Sequence, residues 1–128
     1  MSDDQRYSMM RAFGFGQETG IELPGESAGL LRNADQWQGR DRYVTMFGQA
    51  YAITAMQEAS ALATIANGGV RISPHIVKSW TNADGTVEVP DTSQPVQVMD
   101  AQAASQLLTM MESVVEDELG TAGAAKVP

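Results

Sequence analysis

Thr54-Ala55-Met56-Gln57-Glu58-Ala59-Ser60-Ala61-Leu62-Ala63-Thr64-Ile65-Ala66-Asn67-Gly68-Gly69 decides how this chain is read. Thr54 and Gln57 form a capping box, in which an N-terminal hydroxyl is answered three residues later by an amide side chain. Gly68-Gly69 supplies a left-handed stop at the other end. A helix from Thr54 to about Asn67 is therefore predicted, with Met56, Ala59, Ala63 and Ala66 as its apolar positions. Those side chains are mostly small and let another element approach the helix axis closely. The helix is expected to sit at the centre of something larger.

Two more helices flank it at a distance. Ser2 and Gln5 make a second capping box ahead of Tyr7, Met10 and Phe13, which predicts a helix from Asp3 to Arg11. Asp100 is a candidate N-cap for the last helix, which runs to Glu116. There Ala101, Ala104, Leu107, Leu108, Met111, Val114 and Val115 recur at three- and four-residue steps. Gly120 and Gly123 end that pattern. Phe13-Gly14-Phe15-Gly16 breaks the first helix, and Gly20 to Gly29 reads as an extended, turn-rich stretch around Pro24-Gly25. Asn33 to Gln38 predicts one further helical turn near Trp37. Arg40 to Gln49 reads as extended, on Tyr43, Val44, Met46 and Phe47.

Val70 to Val89 reads as a β-hairpin. His75-Ile76-Val77-Lys78-Ser79-Trp80 and Thr86-Val87-Glu88-Val89 flank the turn sequence Asn82-Ala83-Asp84-Gly85. Pro90 and Pro95 bound a linker, and no internal repeat is present. The fold class is α+β, mostly helical with one β-hairpin. A lone two-stranded hairpin is marginal until a third strand or a helix covers it.

The chain has 128 residues, a length suited to one domain. It is 43% hydrophobic and 19% charged, which excludes a disordered tail. Aromatic residues make up only 6%, against 8 Met, so a core would lean on Ala, Leu, Val and Met. The net charge of −8 repels a phosphate backbone or an anionic bilayer, which argues against nucleic-acid and membrane-surface partners. There is no cysteine and a single histidine, His75, so no metal site is expected. No apolar run reaches the roughly 20 residues that span a bilayer. Met1-Ser2-Asp3-Asp4 is acidic where a signal peptide would be basic. Either the chain is cytoplasmic or it is an excerpt. Ala124-Ala125-Lys126-Val127-Pro128, which stops without a cap, favours the excerpt.

Few residues offer chemistry of their own. Gly25-Glu26-Ser27-Ala28-Gly29 matches the G-x-S-x-G nucleophile elbow, which needs a strand before the serine, a helix after it and a histidine base nearby. Pro24 precedes the motif, no helix follows promptly, and His75 is the only base candidate. A Pro-Gly turn followed by a second glycine bend is the favoured reading. Gly14-x-Gly16 lacks the preceding strand and third glycine of a dinucleotide loop, and no cofactor is implied. Glu112, Glu116, Asp117 and Glu118 lack the alternating ligands of a calcium loop and read as a solvated helix end. His75 reads as a surface or edge residue, and Trp37 and Trp80 as packing residues. No catalytic residue is assigned.

Phe13-Gly14-Phe15-Gly16-Gln17-Glu18-Thr19-Gly20-Ile21-Glu22-Leu23-Pro24-Gly25-Glu26 resembles the "FGFG-x-x-TGI-x-LPGE" stretch of the class B penicillin-binding proteins. Phe47-Gly48-Gln49 and Thr54-Ala55-Met56-Gln57 are similar to its "FGQ" and "T-x-x-Q" pieces. Ala63 to Val70 with Pro74-His75-Ile76-Val77 resembles "A-T-I-A-N-G-G…P-x-I-V", and Gly120-Thr121-Ala122 resembles the "GTA" before the last catalytic motif. Order and spacing agree from about Tyr7 to Pro128. The likeness is greatest to the cell-division transpeptidases, of an actinobacterial type in Gly25 to Leu31.

The resemblance implies a β-lactamase-like transpeptidase fold, of which residues 1–128 form part of a single domain. It implies acyl transfer between peptidoglycan stem peptides in septal wall synthesis, with β-lactams acylating the same serine. It also implies a membrane-anchored parent protein with the domain outside the cytoplasm, and divisome proteins as partners. The family's S-x-x-K, S-x-N and K-[S/T]-G motifs are absent here; Lys78-Ser79-Trp80 lacks the glycine. The first two would fall before Met1 and the third beyond Pro128, so the chain alone is expected to be inert and prone to self-association. Gln49 matches a position near the active-site cleft and is expected to line it. The alternatives are a non-catalytic interaction module of the division machinery and a small serine hydrolase using Ser27.

Overall fold

The computed structural model describes residues 1–90 and 94–126. Its main helices are α1 (Asp3–Ala12), α3 (Ala55–Ala66) and α4 (Ala101–Glu116), with a short α2 (Asp41–Val44) between the first two. Four two-residue strands, β1 (Val70–Arg71), β2 (Trp80–Thr81), β3 (Val87–Glu88) and β4 (Val96–Gln97), pair as β1 with β4 and β2 with β3, both antiparallel. Among the described residues no helix is long and apolar enough to cross a membrane.

All three long helices begin where their side chains can satisfy the free N–H groups of a first turn. Ser2 Oγ accepts from the Gln5 N–H at 3.1 Å while Gln5 Oε1 accepts from the Ser2 N–H at 2.8 Å. The Thr54–Gln57 box repeats this on α3, at 3.2 and 2.8 Å. On α4 the Asp100 carboxylate accepts from the Gln102 and Ala103 N–H groups. Helix α4 stops at Glu116, and a 3₁₀ turn at Gly123–Ala125 follows where no ordered element was expected.

Two small clusters hold these elements. In the first, Trp37 is 3% exposed and donates from Nε1 to the Arg32 carbonyl at 3.0 Å. Tyr7 meets its ring edge-on at 6.4 Å, and the buried Arg6 guanidinium lies 5.2 Å from its centroid. Arg6 also pairs with Asp3 at 2.5 Å. The Tyr7 hydroxyl donates to Asn33 at 2.8 Å, which ties α1 to the expected helical turn, a 3₁₀ turn at Ala34–Gln36. In the second cluster α4, whose Ala104 is fully buried, lies against α3, and α3 also contacts β1, which pairs with β4. Gly69, at φ 83°, has no room for a side chain because the Met99 carbonyl occupies that position. Among the described residues Met10, Trp37 and Ala104 are the buried apolar side chains.

Three expectations are corrected. Arg40 to Gln49 is not extended: it forms α2 and a 3₁₀ turn at Thr45–Phe47. The pairs Tyr43–Met46 and Val44–Phe47 have helical spacing, and Gly48 at φ 87° ends the turn with the Gln49 N–H donating back to the Val44 carbonyl at 3.0 Å. The Val70–Val89 hairpin is shorter than expected. Only Trp80–Thr81 and Val87–Glu88 pair, around a turn in which Asp84 accepts from both the backbone and the hydroxyl of Thr86. Val70–Arg71 pairs instead with Val96–Gln97, beyond Pro95. The Pro90–Pro95 linker lies partly outside the described residues, as do Val127 and Pro128.

The third correction concerns α3. Its fully buried side chains are Gln57 and Thr64, both polar, while Ala59, Ala63 and Ala66 face out and Met56 is half-buried. Thr64 satisfies its hydroxyl by donating to the Ser60 carbonyl at 2.7 Å, one turn back. The small-residue face of the helix stays open.

Candidate functional site

Gln57 organises the centre of the chain. Its backbone is fixed in the first turn of α3, and its side chain, 1% exposed, points between two loops. Nε2 donates to the Gln17 carbonyl at 2.7 Å and to the Ala28 carbonyl at 2.9 Å, while Oε1 accepts from Thr54 N–H. Both amide hydrogens and one acceptor site are thus used. A glutamate would cap α3 equally well but could not donate to two carbonyls. The capping pattern was legible in the sequence; the carbonyl clamp was missed. The available signal was the choice of Gln over Glu at this position.

The loop held by Gln57 is closed by Glu26. Its carboxylate accepts from the Thr19 N–H at 2.7 Å, from the Thr19 hydroxyl, and from the Gly20 N–H at 3.0 Å. Burial raises its pKa, but those three hydrogen bonds outweigh burial and hold the carboxyl below its ordinary value. The conspicuous glutamate after Pro24-Gly25 therefore folds the loop back on itself. Gly29, at φ 68°, then passes so close to the Ala52 carbonyl that a Cβ would sit 2.4 Å from it. Leu30 and Ala52 form a backbone bridge next to this crossing, donating to each other at 2.8 and 2.9 Å. Phe15 stacks on Tyr51 at 6.1 Å, and the Tyr51 hydroxyl lies beside Gly48. Gly48 presents Gln49 to solvent directly after the turn.

A cleft of about 590 Å³ opens between Gln17–Glu22, β1 and the hairpin. Its walls include Glu18, Glu22, Arg71, His75, Trp80 and Val96. Glu22 accepts from the Ile76 N–H at 2.9 Å. That bond, helped by the nearby His75, holds its carboxyl below the usual value. Trp80 is 48% exposed and forms a wall of this cleft, so its expected role as a packing residue is corrected; Trp37 keeps that role.

The elbow reading of Ser27 does not survive the geometry. Ser27 lies in an exposed bend, and its hydroxyl accepts from the Gly29 N–H two residues on, at 3.2 Å. No strand leads into it and no helix follows it before the turn at Ala34. His75 is exposed, with Nδ1 3.5 Å from the Ser73 carbonyl. Gly14 and Gly16 both have positive φ and form a turn stitched by Arg11, whose Nη1 donates to the Gly16 carbonyl at 2.6 Å. At the carboxylate end of α4, Glu116 pairs with Lys126 and Asp117 accepts from the Leu119 N–H at 2.8 Å. Among the described residues no group of three or more His, Asp or Glu side chains is placed to hold a metal ion.

The model of the family described as "Penicillin binding protein transpeptidase domain" matches residues 1–128, and the chain belongs to that family. It is 42% identical to the penicillin-binding protein PbpB of Mycolicibacterium smegmatis over 89% of its own length and 18% of the relative's. To PbpB of Mycobacterium tuberculosis it is 37% identical, over 98% of its length and 19% of the relative's. The chain thus spans less than a fifth of these curated relatives. Its fold overlays the crystal structure of penicillin-binding protein 3 from Mycobacterium tuberculosis with a TM-score of 0.90 at 38% identity, covering 95% of this chain and 28% of that one. Structures of that protein complexed with ampicillin and with aztreonam overlay with a TM-score of 0.88.

Proposed function

We propose that residues 1–128 are part of a single transpeptidase domain of a peptidoglycan D,D-transpeptidase that cross-links stem peptides in septal wall synthesis. The observation that carries this reading is the match of the family model to the whole chain. The nucleophilic serine, its lysine partner and the K-[S/T]-G strand lie elsewhere in the polypeptide. Their chemistry is attack of the serine on the D-Ala-D-Ala amide, with backbone donors taking up the oxyanion charge. β-Lactams acylate the same serine, a reading supported by the ampicillin and aztreonam complexes of the mycobacterial relative.

Within that domain this chain supplies scaffold. The Gln57 clamp and the Glu26 closure fix the loop from Gln17 to Gly29, and Gln49, exposed after Gly48, is assigned to the lining of the parent domain's active-site cleft, which is distinct from the cleft described above. The parent polypeptide is anchored in the membrane with this domain outside the cytoplasm, and division proteins are its partners. The chain on its own is inert and self-associates through its uncovered apolar surface.

Intact-mass spectrometry after incubation with a reactive β-lactam tests the reading. The full gene product is expected to gain one adduct and the 128-residue chain none. An adduct on the short chain, at Ser27 above all, would refute it.

A further inference from the structure

The cleft between Gln17–Glu22, β1 and the hairpin has no part in the function proposed above. Its volume of about 590 Å³ falls within the range of small-ligand sites. Most of its polar walls hold the fold together: Thr19 is bound by Glu26, and Glu22 ties the loop to the backbone of Ile76. Three groups on the walls, Arg71, Glu18 and Trp80, have no such task.

Arg71 is the cation of this cleft. Its backbone is fixed by pairing with Val96, which lines the same space. Gly14, at φ 99°, turns bare backbone toward the guanidinium; a Cβ there would lie 3.4 Å from Nη1. Among the described residues Arg71 forms no ion pair, and its buried Nε has no hydrogen-bond partner. A guanidinium half-buried without an acceptor is costly, and its planar fork matches a carboxylate. Glu18 is exposed and likewise unpaired among the described residues. Trp80 offers a half-exposed ring, an apolar wall beside the two charges.

We infer that this cleft binds a short zwitterionic peptide, with its carboxylate on Arg71, its ammonium on Glu18 and an apolar side chain against Trp80. A simple anion is the poorer occupant, because two carboxylates share the cleft with one guanidinium in a chain of net charge −8. A simple cation leaves Arg71 unanswered. Arg71 and Glu18 do not pair with each other, so a ligand that answers both carries its charges apart, as the two ends of a peptide do. The inference does not depend on the function proposed above.

The probe is the tripeptide Ala-photoleucine-Ala with both ends free, irradiated with the full gene product, whose adducts are located by peptide mapping. Adducts are expected within residues 17–22 or 71–80, and an excess of trialanine should suppress them at least about tenfold. Trialanine amide lacks the charge for Arg71, and N-acetyl-trialanine lacks the charge for Glu18. Each should be needed at a concentration at least about tenfold higher than trialanine for the same suppression. These comparisons require no substitution, so they hold even where a variant folds poorly. Arg71→Gln should erase the advantage of the free carboxylate, and Glu18→Gln that of the free amine. Adducts absent from both segments, or present there and not displaced by trialanine, overturn the inference. Equal competition by the amide or by the acetyl peptide overturns it as well. Alanine competing as well as trialanine overturns the peptide assignment in favour of a free amino acid. Penicillin uptake by the gene product reports on the proposed function alone and leaves each of these outcomes unchanged.

Discussion

Replacing Gln57 by leucine keeps the volume of the side chain and removes every hydrogen bond it makes. The Gln17 and Ala28 carbonyls lose donors at 2.7 and 2.9 Å, and the Thr54 N–H loses its acceptor. A buried polar group left without a partner costs about 1–3 kcal/mol. Both carbonyls are half-buried, so each is set near about 1 kcal/mol, and the lost cap adds about 0.5–1. The sum is a destabilisation of roughly 2.5–3 kcal/mol, a large fraction of what a chain this size has to lose. With a urea slope near about 1.5 kcal/mol/M, the unfolding midpoint falls by roughly 1.7–2 M. Far-UV circular dichroism reports the helices, and fluorescence reports the buried Trp37. Gln57→Glu makes the argument sharper. It keeps the cap acceptor but turns carboxylate oxygens toward two carbonyls, which raises the pKa of the introduced group in the folded state. Its deficit should therefore grow as pH rises above the ordinary carboxylate value and shrink in acid, where the protonated form can donate once. A change below about 0.5 kcal/mol for Gln57→Leu, or a deficit for Gln57→Glu that does not vary with pH, would refute the clamp.

Gly29→Ala and Gly25→Ala place a Cβ at similar positive φ, 68° and 80°, but only at Gly29 does it meet the Ala52 carbonyl. Gly25→Ala should cost about 1 kcal/mol and Gly29→Ala at least about 2 more; equal melting temperatures would show that the Gly29–Ala52 crossing is not tight. Glu26 has a folded pKa below its ordinary value of 4.5, so its contribution is full above that value and lost as pH falls through the lowered one. Glu26→Gln should accordingly be less stable than the parent at neutral pH and converge on it in acid, as urea midpoints across that range will show.

The helices were legible because their signals are local. Ser2–Gln5, Thr54–Gln57 and Asp100 each act on backbone groups within three residues, and the Asn82–Gly85 turn closes on itself through Asp84 and Thr86. The family motifs were equally readable as strings, yet their physical roles were not. That Phe47-Gly48-Gln49 is a helical stop, and that the glutamate after Pro24-Gly25 ties down Thr19, depends on bonds that no spacing rule states.

What the sequence determined by itself is the set of three capped helices, the hairpin turn and the absence of a complete catalytic triad of motifs. Tertiary structure alone decided which side of α3 faces inward. Periodicity selected Met56, Ala59, Ala63 and Ala66, because hydrophobicity is a property of single residues. The fold instead buries Gln57 and Thr64, because the partners of Gln57 are carbonyls some 29 and 40 positions away, brought close by two loops. The β1–β4 pairing is of the same kind, formed across the whole hairpin rather than within it. A polar side chain becomes an interior one only when its hydrogen-bonding partners arrive from elsewhere in the chain.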